Sequence, residues 1–258
     1  VREIDLSLFN YLNTNLKSIV VAEGNGVFDS REDCNAIIET ATDTLVYGCK
    51  STVIPSSVKE IGEDAFWAGC PRNLVIPAGV TKIGYRAFKS CSELESISLP
   101  EGITEVAWGT FIWCTGIESI TLPSTITSIE DSTFCNCRSL RSIVVPEGVT
   151  SIESEAFVGC KCLEEITIPN SVTSIGSSVF SGCTSLESIT LPFVGASKDG
   201  ASNTHFGYIF GAGSYSSNVD YVPTSLKTMV ITGGTSIWNS AFHSCSSLTS
   251  IAIPSSVT

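Results

Sequence analysis

The sequence predicts a β-rich repeat solenoid, with short strands stacked into a parallel sheet along one side, and three regularities carry that prediction. Pro77, Pro100, Pro123, Pro146, Pro169 and Pro192 recur at intervals of 23 residues, and Pro55 stands 22 residues before Pro77. Aliphatic residues occupy the positions three and one before the prolines, as in Ile97 and Leu99, Ile120 and Leu122, or Ile166 and Ile168. Phenylalanine stands eleven positions after them, at Phe66, Phe88, Phe111, Phe134, Phe157 and Phe180, and a cysteine comes three residues after all but the first. A fixed period of this length decides the architecture before local propensities are weighed.

Each mark has a physical reason. Alternate aliphatics ahead of the proline describe a strand with one buried face. Proline suits the strand's exit, because its fixed φ turns the chain and its missing N–H ends the ladder. A second aliphatic pair follows three and six positions past the proline, for example Ile103 and Val106 or Ile126 and Ile129. One such unit has an apolar face and nothing to cover it. Stacked units cover one another at the ~4.8 Å spacing of a sheet, with the Ile, Phe and Leu columns inside.

The pattern LxxIxLPxxITxIxxxxFxxCxxL, carried by Leu94 to Ile117, Leu140 to Leu163 and Leu163 to Leu186, resembles the BspA-like leucine-rich repeats of bacterial surface proteins, also called the Treponema pallidum type. The resemblance covers nearly the whole chain. It implies a right-handed leucine-rich repeat solenoid with short helical or 3-10 turns opposite the sheet. It also implies a cell-surface or secreted, non-catalytic module of the kind that acts in adhesion to host or neighbouring cells.

A single solenoid is expected over residues 1–258, divided by where the pattern holds. Residues 1–50 form atypical N-terminal coils. Ile4 and Leu6, then Leu16, Ile19 and Val21, keep the strand signature, and "AIIET" and "LVYGC" flanking "ATDT" predict a β-hairpin projecting from the second coil. Residues 51–192 are regular repeats. In 193–225 the proline, phenylalanine and cysteine marks vanish from a Gly/Ser-rich stretch that nevertheless holds several aromatics, among them Phe193, Phe206, Tyr208 and Phe210. These aromatics are expected to pack back over the solenoid as an enlarged coil; a ligand-contacting loop is the alternative. Residues 226–258 resume the pattern with Phe242 and Cys245, and "IPSSVT" stops in mid-repeat. That stop suggests a fragment of a longer chain, or a last coil covered by something else.

Seven of the eleven cysteines, Cys70, Cys91, Cys114, Cys137, Cys160, Cys183 and Cys245, occupy the repeat position. Stacking brings their Cα atoms within disulfide range, but parallel Cβ vectors do not converge, so the expectation is a column of buried free thiols. Cys135 with Cys137, and Cys160 with Cys162, form two C-x-C pairs that invite a zinc reading; inward-facing column members argue against it, and no metal is assigned. Cys34 and Cys49 flank the predicted hairpin and are candidates for a disulfide, with two free thiols equally consistent. Neither histidine, His205 or His243, sits in a recognisable catalytic motif, and no Gly-rich element precedes a helix that would hold a phosphate. No catalytic residue and no cofactor are assigned; an enzyme would need its chemistry in the 193–225 loop.

A net charge of −12 without a local Lys/Arg cluster argues against nucleic acid and anionic lipid as partners. The apolar runs are only a few residues long, far below the ~18 to 20 needed to span a bilayer, so direct membrane insertion is not expected. The partner expected is a protein or glycan. Outward strand positions such as Ser96, Ser98, Ser119 and Thr121 offer few anchors. Candidate contacts are therefore Trp67, Trp108, Trp113 and Trp238, which interrupt small or polar columns, with His205, Phe206 and Tyr208 of the insertion. The architectural alternative is a spacer, or a solenoid that associates end to end.

Overall fold

The apolar stretch around "ATDT" folds as read: β2 (Ala36–Glu39) and β3 (Thr44–Gly48) form an antiparallel hairpin, and β1 (Phe28–Asp29) pairs with β2. This is a computed structural model that describes residues 15–198, 200 and 202–257; Ile4 and Leu6 lie outside the described residues. The hairpin does not project. β3 pairs in parallel with β4 (Glu60–Ile61), and Ala36, Ile38 and Leu45 are fully buried in the main core. It therefore covers the first coil, because its inner face is too apolar to stand in water. Gly48 is required there: an added Cβ would collide with the ring of Phe66. Leu16, Ile19 and Val21 form no strand. They pack, partly buried, on the outer cluster of Phe28, Ile37 and Tyr47.

Beyond the hairpin, two series of short strands alternate along the chain. In order they are β5 (Lys82–Ile83), β6 (Ser96–Ser98), β7 (Ser119–Thr121), β8 (Ser128–Ile129), β9 (Ser142–Ile143) and β10 (Ser151–Ile152). There follow β11 (Glu165–Thr167), β12 (Ser174–Ile175), β13 (Ser188–Leu191), β14 (Thr228–Ile231) and β15 (Ser250–Ala252). The strands before the prolines build the parallel ladders β6-β7-β9 and β11-β13-β14-β15. Those after the prolines build β4-β5, to which the hairpin strand β3 adds, and β8-β10-β12. Register is uniform, with Ile97 opposite Ile120 and Ile120 opposite Ile143. The result is a solenoid of about 8 turns with one continuous core.

Opposite the ladders the chain turns through the Phe column. Successive rings from Phe66 to Phe180 stack with centroids 5.3 to 5.7 Å apart and planes within 18°. The expected short helical or 3-10 turns occur as 3-10 segments at Arg31–Asp33, Phe206–Phe210 and Tyr215–Ser217 and as a four-residue α-helix at Asn218–Tyr221, while the regular Phe turns are hydrogen-bonded turns of neither kind. The backbone hydrogen bonds explain why. Phe111 N and Trp113 N donate to the next coil, at Thr133 O (2.9 Å) and Cys135 O (2.8 Å). Ile112 N and Cys114 N, between and after them, close turns within the coil on Gly109 O and Phe111 O, each at 3.0 Å. Alternating the donors in this way flips the backbone, so the residues two before and two after the column Phe take positive φ: Asp64 and Ala68, Gly109 and Trp113, Glu155 and Gly159.

The 193–225 segment is an enlarged coil. Leu191 pairs directly with Ile231 across it, and Phe193, Phe206, Ile209 and Phe210 are buried in the main core. Phe210 meets Phe180 at 6.2 Å and Phe206 meets Phe242 at 5.5 Å, so two tilted rings carry the Phe column through a coil that lacks the repeat pattern.

Candidate binding surface

The thiol column lies inside the turn face from Cys70 to Cys183, whereas Cys245, expected to be buried with them, is only half-buried on the resumed coil. Sγ of Cys91, Cys114, Cys137, Cys160 and Cys183 donates to the carbonyl of Phe66, Phe88, Phe111, Phe134 and Phe157 respectively, at 2.9 to 3.2 Å. Burial pushes Cys183 up to about 12 and drives Cys91, Cys137 and Cys160 well above the usual thiol range. A thiol that keeps its proton is a poor nucleophile and a poor metal ligand. Among the described residues no three His, Cys, Asp or Glu side chains group around a metal position. Cys34 and Cys49 stand as separate buried thiols, Cys34 Sγ donating to Ala36 O (3.8 Å) and Cys49 Sγ to Asn35 O (3.4 Å).

The insertion's polar centre is structural. Asn218 is fully buried; its Oδ1 accepts from Gly207 N (3.0 Å) and lies 3.2 Å from His205 Nδ1, while its Nδ2 donates to Ala241 O and His243 O, each at 3.1 Å. His205 is 8% exposed and Phe206 is fully buried. Both are therefore withdrawn as partner contacts: the ring of Phe206 fills the column, and His205 faces Asn218. Tyr208 is half-buried at the edge of the same cluster. The insertion's exposed aromatics are Tyr215 and Tyr221.

The tryptophans divide into two groups. Trp67, Trp108 and Trp113 belong to the coils of Phe66 and Phe111, and each ring carries a cation from another coil. Lys89 Nζ lies 4.1 Å from the Trp67 centroid, and the guanidinium carbons of Arg86 and Arg138 lie 5.9 and 5.3 Å from Trp108 and Trp113. Trp108 Nε1 also donates to Asp131 Oδ1 at 3.0 Å. These contacts hold the rings in one orientation while leaving Trp108 and Trp113 exposed by about two fifths. Trp238 is exposed on the resumed coil, away from the others.

Sequence reasoning overlooked Tyr85, which is 55% exposed and occupies the same repeat position as Trp108, three before the column Phe. That shared position was the available signal. Among the described residues the strands before the prolines carry no exposed aromatic, their outward residues being mostly Ser and Thr with Glu165 and isolated valines such as Val75 and Val144.

A stack of incomplete coils with inert thiols and fixed surface aromatics defines a repeat-solenoid scaffold. The chain belongs to the BspA type leucine-rich repeat family, whose region matches in six copies over residues 44–162, 108–198 and 217–258. Among solved structures it is similar to a leucine-rich repeat protein of Bacteroides ovatus ATCC 8483, with 28% identity over 82% of this chain and 57% of that one, at a TM-score of 0.55. A leucine-rich repeat protein of Eubacterium ventriosum ATCC 27560 shares the fold at 22% identity over 67% of this chain and 48% of that one, with a TM-score of 0.62. The chain thus spans about half the length of these two solved relatives. A search among curated proteins found no match.

Proposed function

We propose that the chain is a non-catalytic binding module of a cell-surface or secreted bacterial protein, engaging a protein or glycan partner through the aromatic side of the coils of Phe66, Phe88 and Phe111. The observation that supports this reading is the grouping of Tyr85, Trp108 and Trp113 on neighbouring coils, all exposed, with the two tryptophans oriented by Arg86, Arg138 and Asp131. Rigid aromatic anchors lose little entropy on binding, and binding energy concentrates in such residues. Among the described residues the ladder before the prolines, mostly Ser and Thr, carries no such aromatic, which favours the turn side over that ladder.

The test is capture by immobilised chain from a panel of purified matrix proteins and mucins, with Trp108→Ala/Trp113→Ala alongside. A specific partner held by the native chain and weakened at least about tenfold by the double substitution supports the reading. Equal capture by both places the contact elsewhere, and no capture by the native chain overturns the binding reading.

A further inference from the structure

The ladder behind the prolines contains one break. β4 and β5 pair in register, Glu60 with Lys82 and Ile61 with Ile83, and a bridge between Val106 and Ile129 leads into β8-β10-β12. Among the described residues nothing pairs β5 with the segment around Val106. Elsewhere the step is closed by bonds such as Thr81 N to Lys59 O (2.9 Å) and Gly84 N to Ile61 O (2.8 Å); none takes Thr104 or Ala107 to the carbonyls of Thr81 or Ile83.

A cleft of about 650 Å3 opens at this break. Ile83, Gly84 and Ala107 lie along it, with Tyr85 and the carboxylates of Glu60, Glu63 and Glu105. The core beneath is unbroken: Ile83 and Val106 are 2% and 1% exposed, and the rings of Phe88 and Phe111 keep their 5.3 Å spacing. A whole strand therefore has no room between the coils, whereas one long side chain does.

The charges inside the cleft are uneven. Lys82 is held by Glu60 at 2.7 Å, and Arg86 by Asp64 and Glu63 at 2.6 and 3.0 Å. Glu105 makes no salt bridge among the described residues and acts on Lys82 only as a more distant charge, so its carboxylate is the least engaged of the three. We propose that this cleft binds an arginine or lysine side chain presented by an extended basic segment of a partner protein. Tyr85 takes the apolar stem and the face of the cation, Glu105 takes the charge, and the carbonyls left by the broken ladder accept the remaining N–H groups. The net charge of −12 steers a basic segment toward the surface. A neutral sugar would gain nothing from either charge effect.

This proposal rests on the binding-module reading and names the partner's chemistry. Its test uses the full chain and a fluorescein-labelled peptide of alternating arginine and serine, with the same peptide carrying citrulline as the neutral counterpart, followed by anisotropy. Tyr85→Ala, Glu105→Gln and the citrulline peptide are each expected to weaken binding by about tenfold, with added salt weakening it further. Glu187→Gln, an exposed acid outside the cleft, should leave binding unchanged, and thermal melts confirm that each variant is folded. Equal loss from Glu187→Gln and Glu105→Gln, unchanged binding by the two cleft variants, or displacement of the peptide by a neutral dextran oligosaccharide would each overturn the proposal. If those variants still capture a matrix protein as the native chain does, the cleft fails and the module reading survives.

Discussion

Cys137 Sγ lies 3.2 Å from the carbonyl oxygen of Phe111 in the preceding coil, and that same oxygen accepts the backbone N–H of Cys114 at 3.0 Å. The thiol thus fills a small apolar space and adds a second donor to an acceptor that already has one. Cys137→Ala leaves no orphaned carbonyl, so its cost is the lost sulfur contacts and a weak hydrogen bond. About 1 to 2 kcal/mol of lost stability is expected, read from urea unfolding. A loss of 4 kcal/mol or more on the scale of severe core mutations, as about that much accompanies major disruption, would mean the column does more than fill space.

The same burial makes stability depend on alkaline pH. Desolvation raises Cys183 from 9.0 to about 12 in the folded chain. An unfolded thiol releases its proton near pH 9 while the folded one keeps it, so the folded state holds more protons and stability falls between pH 9 and about 12. Each such thiol contributes a slope of up to about 1.4 kcal/mol per pH unit in that window, and none below it. Urea unfolding from about pH 8 to about pH 11 should show this decline, and Cys183→Ala should make it shallower. An identical slope in the variant would exclude Cys183 as a source.

Left-handed backbone at fixed positions gives a second stability test. Ala68 has φ 59° and Gly159 has φ 70°, both two residues past a column Phe. A Cβ at Gly159 would also approach Asn136 Oδ1 to 2.7 Å. Gly159→Ala is expected to cost about 1 to 2 kcal/mol, whereas Ala68→Gly relieves strain and should gain up to about 1 kcal/mol. Thermal melts of the two variants should move in opposite directions.

The columns were legible because every coil repeats the same demand: an aliphatic residue before Pro100, Phe111 after it, then Cys114. The hairpin was legible because the apolar flanks of "ATDT" have one arrangement that pairs them. The turn conformation was hidden, since Asp64, Arg86, Ser132 and Glu155 take positive φ without the glycine that usually announces it. Val106 keeps the aliphatic mark of its column, so nothing in the pattern signals that its ladder stops at Ile83. Phe206 packs back as the enlarged coil required, and His205 and Phe206 fail as partner contacts because only the fold shows which aromatics of a Gly/Ser-rich stretch replace the missing column residues.

Asn218 is the position in the insertion where a single atom group decides most. Its column neighbour Cys245 is pushed up to about 11 by burial and has no Phe carbonyl from a regular coil to meet; instead Asn218 reaches across to Ala241 O and His243 O. This amide ties the insertion to the resumed repeats beside the Phe206 N to Ala241 O bond (2.9 Å) and the Phe206–Phe242 ring contact, doing the bridging that a thiol does elsewhere. Asn218→Ala removes bonds to Gly207 N and to two carbonyls in a fully buried place, and about 3 kcal/mol or more of lost stability is expected. Asn218→Asp keeps the acceptor for Gly207 N but turns oxygen toward both carbonyls, and should be comparably damaging at neutral pH. Hydrogen exchange should localise the loss to residues 205–250, with the amides of Phe111 and Phe134 unaffected. Uniform loss of protection along the solenoid would show that Asn218 supports the whole stack and not one junction.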